Sequence, residues 1–219
     1  ITYFLDLPPI DSSLCKNRAE TAQRFTKQFQ SACLLYTDLD QHNSGQWTET
    51  PSGSVWRLGI RSGNAYSLYI SMHYLLLPGV RMYVYGPGYR DLRGAFTSRN
   101  NNSSEILSIT PVRGDRLIIE LNLPPYQHSF GEIKVTKVYH DYLNIFEDPA
   151  VQGQKSVLNC DQDINCTNGR YWQTEKRSVC KIISGGGMGT GTLIGNTSGS
   201  RTPYVLSAYH LISSSEIAA

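Results

Sequence analysis

The most constraining feature of this 219-residue sequence is a two-residue period in hydrophobicity that begins near residue 45. In "VWRLGIR" the apolar side chains of Trp56, Leu58 and Ile60 alternate with Arg57 and Arg61. Successive side chains of a β-strand point to opposite faces, so this period predicts strands with one buried face. The same alternation returns in four later segments: "SLYISMHY", "VRMYVY", "RLIIELNL" and "EIKVTKVYH".

Turn-forming residues separate these alternating segments. They occur as "PSGS", "RSGN", "LPGV", "GPG", "RGD" and "LPPY", and no helical period interrupts the series. Short alternating strands with this spacing are typical of an antiparallel β-sandwich of about 100 residues. We therefore expect an all-β protein whose sandwich spans residues 44–142.

The segments on either side of the sandwich have different patterns. Residues 1–43 are predicted to be an extension with one helix in 12–30, where Ser12 and Ser13 offer an N-cap. Residues 143–157 contain Pro, Gly and Gln without a sustained period, which indicates a linker. Residues 158–219 form a further segment, in which two short strands joined by a polar turn run into His210.

Composition and spacing argue against several classes of function. The net charge is only +2 with scattered basic residues, which gives no electrostatic support for binding nucleic acid or an anionic membrane. No apolar stretch approaches the roughly 18 residues of a transmembrane helix. The cysteines form no CxxC pair and no zinc-finger spacing, so we expect neither a metal nor a cofactor. The Gly-rich stretches "YGPGYRDLRG" and "SGGGMGTG" lack the spacing of a phosphate-binding loop, and the first is expected to be a loop.

Three motifs near the C-terminus resemble the start of the catalytic domain of lysyl endopeptidase-like enzymes, a branch of the trypsin/chymotrypsin-like serine proteases. "NCDQDINC" contains Cys160 and Cys166, and it is followed by "GTGTLIGNT" and by "TPYVLSAYH", which ends at His210. In that family a Cys-rich segment precedes a "TG(S/T)L" strand, and a second strand ends in "(S/T)AxH" with the catalytic histidine. The upstream segments "SGQWTETPSGSVWRLGIRSG" and "TPVRGDRLIIELNLP" look like the pro-region of the same enzymes.

This resemblance implies a function and an architecture. Residues 158–219 would be the first strands of an incomplete trypsin-like β-barrel, with His210 as general base and then general acid toward a peptide or protein substrate. The sandwich would be a pro-domain that assists folding or inhibits the enzyme and packs on the protease part. The protein would be secreted, periplasmic or at the cell surface with its leader already removed. Because "LISSSEIAA" after His210 offers neither the triad aspartate nor the nucleophile surround, we do not expect this chain to hydrolyse peptides alone.

Some positions depart from the family pattern or are open to more than one pairing. Gly189 and Leu211 stand where the family has the two cysteines of a bridge beside the histidine, and Leu211 is a candidate buried substitute. By the same analogy, Cys160 and Cys166 would pair with cysteines elsewhere in the enzyme, and otherwise stay free or pair with each other.

Three further predictions come from the sequence. Cys15 and Cys33 could pair across the helix, whereas Cys180 has no assigned partner. The bond between Lys155 and Ser156 is a candidate processing site, because the resembled enzymes cleave after lysine. The alternative reading of the whole chain is a non-catalytic β-sandwich that binds a protein or glycan through exposed tyrosines, with a degenerate protease-like tail.

Overall fold

The computed structural model describes residues 3–26, 29–147 and 164–211 of the chain. The described residues divide into two compact units, one drawn from 3–15 and 31–144 and the other from 16–26, 29–30, 145–147 and 164–211. Strands dominate both units, so the predicted all-β class is confirmed. The strands in chain order are β1 (Leu5–Asp6), β2 (Phe29–Gln30), β3 (Ala32–Asp40), β4 (Gln46–Thr50), β5 (Gly53–Arg61), β6 (Ser67–Leu76), β7 (Arg81–Gly86), β8 (Arg90–Phe96), β9 (Ile106–Arg113), β10 (Arg116–Asn122), β11 (Gly131–Asp141), β12 (Val179–Ser184), β13 (Gly187–Ile194) and β14 (Tyr204–Ser207).

The first unit is a sandwich of two sheets around one core. Its larger sheet has the order β1-β5-β10-β7-β8, with β4 also paired to β5, and its smaller sheet has the order β3-β11-β6-β9. The strands pair antiparallel except for the short β1, which runs parallel to β5. The inward side chains of both sheets meet in a single hydrophobic cluster, because each alternating strand presents one apolar face to the other sheet. Fully buried members of that cluster include Trp56, Leu68, Met82, Ile119 and Val135.

The sandwich takes in strands that the sequence did not predict. Strands β1 and β3 lie upstream of residue 44, in the segment that we expected to be an extension. The expected Gly-rich loop "YGPGYRDLRG" begins with the last two residues of β7 and ends in β8, so only the 3-10 turn Pro87–Tyr89 lies between the strands. The "RGD" at residues 113–115 forms the predicted tight turn between β9 and β10, with Gly114 at a φ of 97°.

The helix α1 (Ser12–Thr26) begins at the predicted position, but with a different cap. Asp11 accepts hydrogen bonds from the backbone amides of Ser13 and Leu14, so an aspartate provides the cap that we assigned to the serines. Cys15 in its first turn is bonded to Cys33 of β3, with Cα atoms 5.8 Å apart. Within the described residues no helix is long and apolar enough to span a membrane.

The second unit contains a four-stranded sheet with the order β12-β13-β14, in which β2 also pairs with β13. A 3-10 helix (Thr167–Trp172) leads into the single-turn helix α2 (Gln173–Lys176), which precedes β12. A second 3-10 turn (Tyr209–Leu211) follows β14 directly. The described part of this unit forms an open sheet and not a closed barrel.

Candidate active site

The two strands that lead to His210 form a regular antiparallel hairpin. β13 pairs with β14 from Gly191 opposite Ser207 to Ile194 opposite Tyr204. The hydroxyl of Ser207 donates a hydrogen bond of 2.8 Å to the carbonyl of Thr190 on β13. The end of β14 is therefore fixed to β13 immediately before the turn that carries the histidine.

Leu211 anchors this turn on the sheet. Its side chain is 2% exposed, and a Cβ atom built on Gly189 would lie 2.7 Å from one of its methyl carbons. A side chain at position 189 would have to displace the methyl end of the leucine. The structure thus brings together positions 189 and 211, which by the family resemblance would be a disulfide pair, and joins them by apolar packing.

His210 itself lies in the 3-10 turn Tyr209–Leu211 and is exposed. The backbone amide of Leu211 closes the turn by donating to the carbonyl of Ala208 over 3.0 Å. Since Leu211 points into the sheet, its neighbour His210 is held at the surface. Among the described residues no side chain forms a hydrogen bond or ion pair with the imidazole of His210, so a carboxylate that would orient it is not found in this part of the chain.

A shallow cavity of about 400 Å³ lies on the same sheet, over β12 and β13. Cys180, Lys181, Met188 and Thr190 line it, and His210 does not. The thiol of Cys180 is exposed and contacts the carbonyl of Gly191 at 3.5 Å. No group of three or more metal-ligating side chains occurs within the ranges that the structure describes.

The other residues singled out from the sequence lie in other parts of the chain. Lys155, Ser156 and Cys160 lie outside the described residues. Cys166 precedes the 3-10 helix Thr167–Trp172 and forms no disulfide with a described residue. The disulfide between Cys15 and Cys33 belongs to the sandwich unit.

Sequence patterns did not reveal two buried polar groups in the sandwich. His140 and Asp141 at the end of β11 are fully buried, with Ser62 bonded to Nδ1 of His140 over 2.8 Å and Ser67 donating to Asp141 over 2.7 Å. Burial lowers the pKa of His140, although the neighbouring Asp141 acts in the opposite direction. Each pair joins residues more than 70 positions apart, so only the fold brings them together.

The second buried group is centred on Glu120 of β10. We call it the Glu120 cluster: Arg57, Tyr85, Glu120 and Asn122. Arg57 and Tyr85 both donate to one carboxylate oxygen of Glu120 over 2.7 Å, and Asn122 donates to the other over 2.9 Å. Strand register places Arg57 directly opposite Glu120, and the alternation in sequence could have shown that both lie on the outer face.

Comparison with known families identifies the segment that contains His210. Residues 155–219 match the family model for the C-terminal domain of lysyl endopeptidase. The matched segment includes β12, β13, β14 and the turn of His210, so this part of the chain is related to a peptidase. The match covers less than a third of the chain and leaves the sandwich outside it. No solved structure matches the chain.

Proposed function

We propose that the chain is the N-terminal part of an exported serine endopeptidase precursor, in which His210 is the general base of the catalytic triad. The observation that carries the proposal is the family match over residues 155–219 together with the position of His210 directly after β14. A serine nucleophile needs an imidazole that accepts its proton and later returns it to the leaving group. An exposed histidine on a fixed turn can perform both steps.

The packing of Leu211 on Gly189 supports this role for its neighbour. A general base works only when its ring is held within hydrogen-bond reach of the nucleophile. In the proposed domain the buried Leu211 replaces the bridge that the family has here, and it fixes the turn from which the imidazole projects. Leu211 is then a positioning residue, and His210 is the catalytic one.

Apolar side chains on both faces of the hairpin also support a place in a larger β-domain. Leu193, Val205 and Leu206 are 48%, 51% and 62% exposed. Val205 and Leu206 are adjacent in β14, so they point to opposite faces of the sheet. In a trypsin-like barrel further strands would cover these side chains and supply the aspartate and the serine, so we expect the 219 residues by themselves to be inactive.

We further propose that the sandwich is the pro-domain of this enzyme, which docks on the peptidase part and assists its folding or inhibits it. The matched segment begins at Lys155, beside the candidate processing bond between Lys155 and Ser156. The disulfide of the sandwich supports export, since such bonds persist in oxidising compartments. N-terminal sequencing of the mature protein should find Ser156 as the first residue. A mature terminus elsewhere would remove the processing proposal.

The catalytic proposal is tested with the product of the complete gene and a blocked peptide with lysine before the scissile bond. Replacement of His210 by alanine should lower kcat by a factor of about 10³ or more, because the nucleophile loses its base. His128→Ala is the matched control, since His128 is an exposed histidine of the sandwich, and it should keep the wild-type rate. Absence of hydrolysis by the wild type, or an unchanged rate for His210→Ala, would overturn the proposal.

A further inference from the structure

A cavity of about 420 Å³ opens on the outer face of the larger sandwich sheet. One wall is the β4–β5 hairpin with Ser52, the other is the start of β7 with Arg81 and Tyr83, and the floor is β10 with Glu120 and Asn122. Its volume falls in the range of small-ligand sites, which combine apolar walls with a few convergent polar groups.

The charges at the floor of this cavity are already balanced. The carboxylate of Glu120 accepts hydrogen bonds from the three other members of the Glu120 cluster, and Arg57 neutralises its charge. Burial alone would raise the pKa of Glu120, but the hydrogen bonds from Tyr85, Asn122 and Arg57 outweigh it and lower the pKa. The negative charge at the floor is therefore neutralised by Arg57.

Arg81 adds a positive charge that no side chain in the described ranges compensates. It lies on β7 directly opposite Asn122 of β10, and it is exposed at the cavity. Among the described residues no acceptor forms a hydrogen bond or ion pair with its guanidinium, and the hydroxyl of Tyr83 two residues along β7 also has no partner. The cavity thus offers a free planar cation and a free hydroxyl donor beside a neutral floor.

The cavity also has an apolar part, which the backbone holds in place where the β4–β5 hairpin meets the end of β10. Val55, Leu123 and Pro124 supply its hydrocarbon surface. Gly53 has a φ of 123°, and a Cβ atom there would lie 1.9 Å from the carbonyl oxygen of Leu123, so the hairpin is pressed directly against the end of β10. The amide of Leu123 donates to the carbonyl of Ser54 over 2.9 Å and closes this contact. The cavity is consequently formed before any ligand enters.

We propose that this cavity binds a peptide carboxylate through Arg81. The guanidinium fork matches the two oxygens of a carboxylate, and such charge-assisted pairs are stronger than neutral hydrogen bonds. The hydroxyl of Tyr83 donates a further hydrogen bond, and the apolar wall holds the hydrocarbon part of the residue that bears the carboxylate. No residue of 155–219 lines the cavity, so the proposal does not depend on the peptidase assignment.

The test uses the full 219-residue chain and three probes at neutral pH. Acetyl-Ala-Val with a free C-terminal carboxylate, its C-terminal amide, and acetyl-Ala-Asp-Ala-amide are titrated while the NMR signals of the Arg81 guanidinium and of β7 and β10 are followed. At least one carboxylate probe should bind with a Kd on the order of 1–10 mM, as expected for a small ligand with one charged contact. The acetyl-Ala-Val amide should bind at least about tenfold more weakly.

Two variants separate the cavity from general charge effects. Arg81→Gln should weaken carboxylate binding about tenfold or more. Arg99→Gln removes the same charge from an exposed arginine outside the cavity and should leave binding unchanged. Binding of the Ala-Val acid would show that the cavity takes a C-terminal carboxylate, and binding of the aspartyl peptide would show that it takes an acidic side chain. Three results would each overturn the proposal. The first is equal affinity for the Ala-Val acid and its amide with no binding of the aspartyl probe, and the second is equal binding by Arg81→Gln and the wild type. The third is no binding of any probe up to about 20 mM.

Discussion

Leu121 of β10 and Leu206 of β14 are leucines in strands that are rich in apolar residues. Leu121 is fully buried, whereas Leu206 is 62% exposed. The difference comes from what covers each sheet. In the sandwich a second sheet lies over the first, and the inward residues of both share one core. In the described part of the second unit, the hairpin β13–β14 has a single sheet and its outward apolar side chains remain at the surface.

Apolar residues in strands therefore contribute differently to the stability of the two units. Burial of an apolar side chain contributes about 25 cal/mol for each Å² removed from water. The sandwich obtains that contribution from nearly every inward position. The described sheet of the second unit obtains it at few positions, of which Leu211 against Gly189 is the clearest. The sandwich thus buries the inner faces of both of its sheets, whereas the described sheet that carries His210 leaves apolar side chains at the surface.

The largest expected effect comes from truncating the same residue type in the two units. Leu121→Ala should lower the free energy of unfolding of the sandwich by about 2–5 kcal/mol, because it leaves a cavity in a closed core. Leu206→Ala should change stability by less than about 1 kcal/mol, since its side chain is largely in water already. Chemical denaturation of the full chain measures both. Similar losses for the two variants would show that Leu206 is covered and that the comparison is wrong.

Within the sandwich, the strands that the sequence predicted are those with neighbours on both sides. β5, β6, β7, β10 and β11 each pair on two edges, and burial of one face imposes a strict alternation on them. The unpredicted strands lie at sheet edges, where each pairs with a neighbour along one edge only: β3, β4, β8 and β9. Selection for alternation is weaker there, and charges or a proline are tolerated, as in "RDLRGAF" of β8 and with Pro111 in β9.

The candidate site was predictable where it depends on local sequence and not where it depends on contacts between distant strands. The hairpin and His210 follow from a local pattern and a family resemblance. The packing of Leu211 on Gly189 joins residues 22 positions apart and was anticipated only through that resemblance. The Glu120 cluster and the pair of Ser62 with His140 depend on strand register across the sandwich, which the sequence leaves open.

The second expected effect is a gain in stability of the second unit when a disulfide joins positions 189 and 211. In Gly189→Cys/Leu211→Cys, the two sulfurs should form a disulfide, because a Cβ at position 189 would lie within 3.3 Å of Cγ of Leu211. A bridge over a loop of about 20 residues should stabilise the second unit by about 3 kcal/mol, and the gain should disappear on reduction. Thiol counting and thermal unfolding measure this, with the single variants as controls. If both cysteines stay reduced in air, positions 189 and 211 are not adjacent as described.

The smallest expected effect concerns the pH dependence of the sandwich. Burial places the folded-state pKa of His140 below its unfolded value of about 6.5. As the pH falls below that unfolded value, the unfolded chain takes up a proton that the folded sandwich resists, so stability decreases toward the folded pKa. The contribution of one proton cannot exceed about 1.4 kcal/mol per pH unit.

Two histidine variants isolate this contribution. His140→Asn keeps a polar partner for Ser62 but cannot titrate, so its stability should fall less steeply than that of the wild type between pH 6.5 and lower values. His128→Asn replaces an exposed histidine and should follow the wild-type slope. Denaturant unfolding at a series of pH values gives the slopes. Identical slopes for His140→Asn and wild type would show that His140 takes up its proton equally in both states.

Chemical modification tests the proposed role of His210 as the base of a serine peptidase that contains the hairpin β13–β14. The most direct measurement treats the complete gene product with a peptidyl-lysyl chloromethyl ketone, which alkylates the imidazole next to an attacking serine, and then maps the adduct by mass spectrometry. We expect loss of peptidase activity with a single adduct on His210, and no adduct on the exposed His128. Full inactivation with His210 unmodified and the adduct on another histidine would contradict it.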